Sequence, residues 1–124
     1  MRAIFISAAA MAIFAVITAG STSAQTGYSA EELLSPCQEA DNDARWGETA
    51  ETECEQYILG FVDALAQAGA SGAETGICPP AVNTADEVRW AFMRWVHASY
   101  SERKQMTAAE ALMGTLKESF ACEG

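Results

Sequence analysis

Four cysteines in a short chain, Cys37, Cys54, Cys78 and Cys122, constrain the fold more than any other feature. No two of them stand at C-x-x-C spacing, and the single histidine, His97, has no second histidine near it, so the spacing of a zinc site is missing. A catalytic thiol would need a base close by, and four unpaired thiols would not persist in an oxidising compartment. An even number of cysteines in a small exported domain reads instead as a disulfide framework. No metal and no other cofactor is expected.

The N-terminus supplies the export signal that this reading requires. Arg2 is followed by an uncharged apolar run over residues 3–19, and small residues crowd residues 20–24. Thr22 and Ala24 suit the −3 and −1 positions of a cleavage site, the order of a secretory signal peptide. A membrane anchor is the rival, since the run approaches the ~20 residues that span a bilayer. The alanine-rich run and its small-residue exit favour cleavage after Ala24. The expected organisation is a signal peptide over residues 1–24 and one helical domain over residues 25–124, periplasmic after passage across the inner membrane. Arg2 leaves with the signal while all 17 acidic residues stay, so a net charge of −10 becomes about −11. Such a field disfavours nucleic acid and anionic lipid as partners and suits a basic protein surface.

The rest of the chain reads as helices. Ser29 and Glu32 form an S-x-x-E capping box before Leu33, Leu34 and Cys37, and Pro36 keeps that helix short or kinked. A polar loop follows over residues 41–48. Thr52 and Glu55 present a second box, and Cys54, Tyr57, Ile58, Phe61, Val62 and Leu65 recur at helical spacing. Gly69 suits a C-cap, and Gly60 suggests close approach of a neighbouring helix or chain. After a Gly/Ala/Pro linker, Thr84 and Glu87 open a third helix. The last helix carries Met106, Ala109, Leu112, Met113, Leu116 and Phe120 on one stripe. No segment alternates with period two, so the expected fold is all-α: four helices packed antiparallel around one core.

That order selects a cysteine pairing. In an up-down-up-down arrangement the end of the first helix meets the start of the second. The linker before the third helix meets the end of the last. Crossed pairings would span a helix of about 15 residues, roughly 22 Å long, whereas a disulfide tolerates only ~4.4–6.8 Å between Cα atoms. Cys37 should therefore join Cys54, and Cys78 should join Cys122.

Chemistry is harder to find. His97 has no Asp or Glu at helical spacing to complete a triad with Ser101. Asp41 and Asp43, or Glu51, Glu53 and Glu55, could act as paired carboxylates, but an acidic run of this kind is ordinarily a solvated face. No phosphate loop or metal motif is present, and the reading is that the protein is not an enzyme. One feature exceeds a plain bundle. Val88, Phe92, Trp95 and Val96 form an apolar stripe on the third helix, while Trp90, Met93 and His97 lie opposite. Such a helix is either central in the core or an interface for a protein partner or a second copy of the chain. The candidate partner-binding residues are Trp90, Met93 and His97, with Asp41, Asp43, Trp46 and Glu48 from the acidic loop.

The segments C-E-Q-Y-I-L-G-F-V-D-A-L (54–65), I-C-P-P (77–80) and A-A-E-A-L-M-G-T-L-K-E-S-F-A-C (108–122), with the cap at Thr84, resemble the Rap/Tai immunity-protein family. Tyr57, Gly60, Asp63 and Pro79 carry the resemblance together with the cysteine order. It departs at Ala98, which follows His97 where the family usually has proline, and at Ala121, where proline is frequent. The resemblance implies a small secreted helical protein that binds and neutralises a peptidoglycan amidase delivered by a type VI secretion system, by occluding its active site. A periplasmic acid-stress chaperone of the HdeA type is the alternative. It would share the size, helicity and disulfides, but would bind many unfolded clients at low pH.

Overall fold

A computed structural model describes residues 27–41 and 47–123. The signal peptide with its cleavage position, and the loop candidates Asp43 and Trp46, lie outside the described residues. Within them the chain forms five helices: α1 Ala30–Glu39, α2 Gly47–Gln67, α3 Thr84–Ala98, α4 Tyr100–Arg103 and α5 Ala108–Ser119. Extended pairing among the described residues is limited to isolated bridges. The all-α expectation holds, with a one-turn helix added to the four long ones.

Helix α1 starts as its sequence indicates. The Glu32 N–H donates to Ser29 Oγ at 3.1 Å, and the Ser29 N–H donates to the Glu32 carboxylate at 2.7 Å. That backbone hydrogen bond, with the one to the Ser29 side chain, holds the Glu32 carboxyl below its ordinary range. Pro36 sits inside the helix and has no N–H for the carbonyl of Glu32, four residues back. The Tyr28 hydroxyl oxygen lies 3.0 Å from that carbonyl, which shares the hydroxyl's single proton with the Glu53 carboxylate.

Two predicted caps are not caps. Helix α2 begins at Gly47, so Thr52 already lies inside it and its hydroxyl donates to the Glu48 carbonyl at 2.9 Å. Helix α3 is entered through Asn83 in the left-handed region, φ 52°, with no side-chain cap. The Thr84 hydroxyl instead donates to the Pro80 carbonyl at 2.7 Å. A box outside the sequence expectation opens the final helix, where the Glu110 N–H donates to Thr107 Oγ1 at 3.2 Å and the Thr107 N–H to Glu110 at 2.9 Å. It starts α5 after a break, so the expected single last helix is two. The end of α2 follows expectation: Gly69 takes φ 67°, and the N–H of Ala70 reaches the Leu65 carbonyl at 2.8 Å.

Helices α1 and α3 form the middle of the domain, each packed on α2 and α5 as well as on the other. Leu33, Leu34, Ile58, Val88, Phe92, Val96, Leu112 and Leu116 fill the core between them. The close approach expected at Gly60 is not found among the described residues: a Cβ there would meet none of them within 4 Å. It occurs at Gly114, where a Cβ would stand 2.5 Å from Trp95 Cζ2. The indole therefore lies flat against bare α5 backbone, and Arg103 closes its other side, 3.7 Å from the ring centroid.

Strict up-and-down alternation would set the starts of the first and last helices at opposite ends. Here they lie side by side, because Ala30 N–H donates to Met106 O at 2.8 Å and Ala108 N–H to Tyr28 O at 2.7 Å. The α4 turn redirects the chain and makes this possible. Both disulfides nevertheless pair as expected. Cys37–Cys54 has its Cα atoms 5.0 Å apart and staples α1 to α2 in the core. Cys78–Cys122, at 4.9 Å, ties the α2–α3 linker to the chain's end beside a Cys78 N–H to Phe120 O bond of 2.8 Å. Among the described residues no helix is long and apolar enough to cross a membrane.

Candidate partner-binding surface

Because α3 is covered by α1, α2 and α5, only part of its circumference reaches solvent. That part carries Trp90, Met93 and Arg94, one turn apart, and His97 a turn further on. Together with Gln38 and Asp41 from the end of α1 they line a groove of about 400 Å³. Four sequence candidates, Asp41, Trp90, Met93 and His97, are thus brought into one place. Their roles differ. Trp90 is 42 % exposed and forms a wall, whereas Met93 is only 7 % exposed and forms the floor, as part of the core. His97 is exposed, with Nε2 2.7 Å from Gln38 Nε2 and its ring stacked on Tyr100 at 5.9 Å between centroids. The Tyr100 hydroxyl donates to Glu31 at 2.8 Å, a bond that raises its pKa and extends the aromatic strip along α1.

Below Trp90 lies a charge that sequence reasoning missed. Arg89 is 5 % exposed. Its guanidinium donates to the Cys37 carbonyl and to Asp41, each at 3.2 Å, and to Asp86 at 2.8 Å. Burial alone would lower the arginine's pKa, but the hydrogen bonds it donates to Asp86 and Asp41 outweigh it and raise the value. Asp41 is therefore the partner of a buried cation before it is a surface charge. The i,i+3 spacing of Asp86 and Arg89 could have revealed half of this network; the Asp41 half depends on how α1 packs on α3.

Glu48 stands apart from the groove. It opens α2 and shares a shallow acidic depression with Glu51 and Glu53. The Glu53 carboxylate accepts from the Tyr28 hydroxyl; burial first, then this bond, moves the Tyr28 pKa well above its usual value. Asp43 and Trp46 cannot be placed relative to either surface, since both lie outside the described residues. All four cysteines are paired, and no group of three or more metal-ligating side chains occurs among the described residues.

Fold and surface together define a class: a small, disulfide-stapled all-α protein with an aromatic groove on one central helix. Residues 29–122 match the family of Rap1a immunity proteins, and the chain belongs to that family. The role that membership carries is that of an immunity protein, which binds a partner effector. No curated protein and no solved structure matches the chain.

Proposed function

We propose that the mature protein, cleaved after Ala24 and released in the periplasm, neutralises a type VI peptidoglycan amidase by non-covalent binding that blocks its active-site cleft. The observation that carries this reading is the family match across 29–122, which covers both staples and the five helices of the described residues. The surface supports it. A scaffold with two disulfides holds its contact residues in place before binding, so little conformational freedom is lost on association. The groove beside α3 offers an aromatic wall and an apolar floor of the kind that anchors protein partners. The acidic start of α2 supplies the charge to attract a basic effector surface, an effect on the rate of encounter more than on lifetime.

The test is co-expression of this protein with each secreted amidase encoded in the same genome, the toxin being directed to the periplasm. Protection from lysis against one of them is expected, with association slowing as salt is raised and dissociation changing little. Equal lysis with and without the protein, for every such amidase, would end the immunity reading. Broad suppression of aggregation at low pH would then favour the chaperone.

A further inference from the structure

Stability alone gives a poor account of Arg89. The residue is buried, and its two terminal nitrogens find the Cys37 carbonyl, Asp41 and Asp86. Its Nε, equally buried, has no hydrogen-bond partner among the described residues. An ion network enclosed in this way seldom stabilises a fold more than apolar side chains of the same volume would, and an orphaned donor adds to the cost. What the network does is fix a position.

The guanidinium carbon lies 4.9 Å from the centroid of the Trp90 ring, so the cation sits over the indole that walls the groove. Such a contact is stronger when the cation is withdrawn from water. The same guanidinium is anchored at three points. Cys37 O belongs to the last turn of α1, where carbonyls lack partners inside the helix and where α1 has no basic residue of its own. Cys37 is also bridged to Cys54, so α2 holds that point too. Asp41 follows the end of α1, and Asp86 lies in the first turn of α3. A planar fork can meet all these acceptors and a ring face together, whereas an ammonium is a point donor.

We propose that Arg89 is a positioning residue for partner binding, tying the Trp90 indole to the end of α1 and the Cys37–Cys54 staple so that the ring stands ready before the partner arrives. An exposed tryptophan held less firmly would turn about its side-chain bonds and lose that freedom on association, at a cost in affinity. Arg89 acts from beneath the ring and has no need to touch the partner. The assignment rests on the immunity reading for the use made of Trp90, while the order of the ring belongs to the free protein.

The test combines binding with a measurement on the free protein. Affinity for purified secreted amidases of the same genome is compared for wild type, Arg89→Lys, Trp90→Ala and the double variant. NMR relaxation follows the indole N–H groups of Trp90 and Trp95 without any partner. Arg89→Lys keeps the charge and loses the fork. It should weaken binding about tenfold in the wild-type background and less than about twofold once Trp90 is alanine, because it acts through the ring. Trp90→Ala alone should cost about 30-fold. In Arg89→Lys the Trp90 N–H should gain fast motion while the Trp95 N–H stays ordered. A merely structural role would lower affinity equally in both backgrounds and loosen both indoles. Should Arg89→Lys fail to fold, Asp86→Ala takes its place, since it removes one anchor from outside the groove and should give the same pattern at smaller size. Equal losses in both backgrounds, no loss in either, or an unchanged Trp90 N–H would overturn the assignment. If wild type binds none of the amidases, the immunity reading has failed, and the order of the ring alone then decides whether Arg89 positions it.

Discussion

Asp41 shows how one side chain can be misread when only its neighbours in sequence are visible. In a polar loop it resembles a solvated charge available for steering a partner. In the fold it accepts two hydrogen bonds from Arg89, whose guanidinium is nearly inaccessible to water. Removing a partner from a buried cation costs more than the pair contributes, because the remaining charge keeps its desolvation penalty. Asp86 still holds Arg89, and Asp41 is about half exposed, so the loss is moderated. Asp41→Lys is expected to destabilise the domain by roughly 1–2 kcal/mol. Glu48→Lys, at the exposed start of α2, should cost under about 1 kcal/mol through the helix dipole alone. Urea titration of the two variants checks the contrast. Equal midpoints would mean that Asp41 is an ordinary surface charge.

At the scale of the element, two glycines separate local propensity from packing. Gly60 and Gly114 both lie inside helices, and each weakens its helix by the same backbone entropy. Only their surroundings differ. A methyl group at position 60 would meet open space, so Gly60→Ala should stabilise the protein by about 0.5–1 kcal/mol. A methyl group at position 114 would strike the Trp95 ring at 2.5 Å, and Arg103 stacked on the far side limits the ring's retreat. Gly114→Ala should therefore destabilise by about 1–3 kcal/mol despite its better helix propensity. Thermal unfolding midpoints moving in opposite directions are the expected outcome, and a shared direction would refute the packing account. The caps carry the same lesson. Ser29–Glu32 and Thr107–Glu110 form boxes because an extended residue precedes each helix, whereas Thr52 and Thr84 have the same motif on backbone already turning.

At the scale of the whole molecule, the two staples differ in access. Cys37 and Cys54 are fully buried between α1 and α2, while Cys78 is exposed at the linker. A thiolate must reach sulfur to exchange with it, so access governs the order of opening. Under graded thiol reduction followed by alkylation, Cys78 and Cys122 should be labelled well before Cys37 and Cys54. Simultaneous labelling would show that the domain opens as one unit. In the chain-entropy model the two bridges contribute about 3 and about 4 kcal/mol, the longer loop giving the larger value. The outer staple thus stabilises the fold substantially and also ties the α2–α3 linker to the end of α5.

The amino-acid sequence by itself determined what depends on short-range order: the helical class from apolar residues at three- and four-residue spacing, the α1 cap, and the α2 terminus at Gly69. It also indicated the disulfide pairs, since a short α1–α2 connection and the linker's return toward the chain's end leave few ways for four cysteines to meet. The surface candidates on α3 were visible as types, because Trp90, Met93 and His97 share a helix side whatever packs against it. What each one does was decided only by tertiary structure. Met93 became floor and Trp90 wall because α1 covers one flank of that side and leaves the other to solvent. Arg89 acquired a partner 48 residues away, and Gly114 received a ring from α3. Such contacts depend on the relative placement of helices, which no local periodicity encodes.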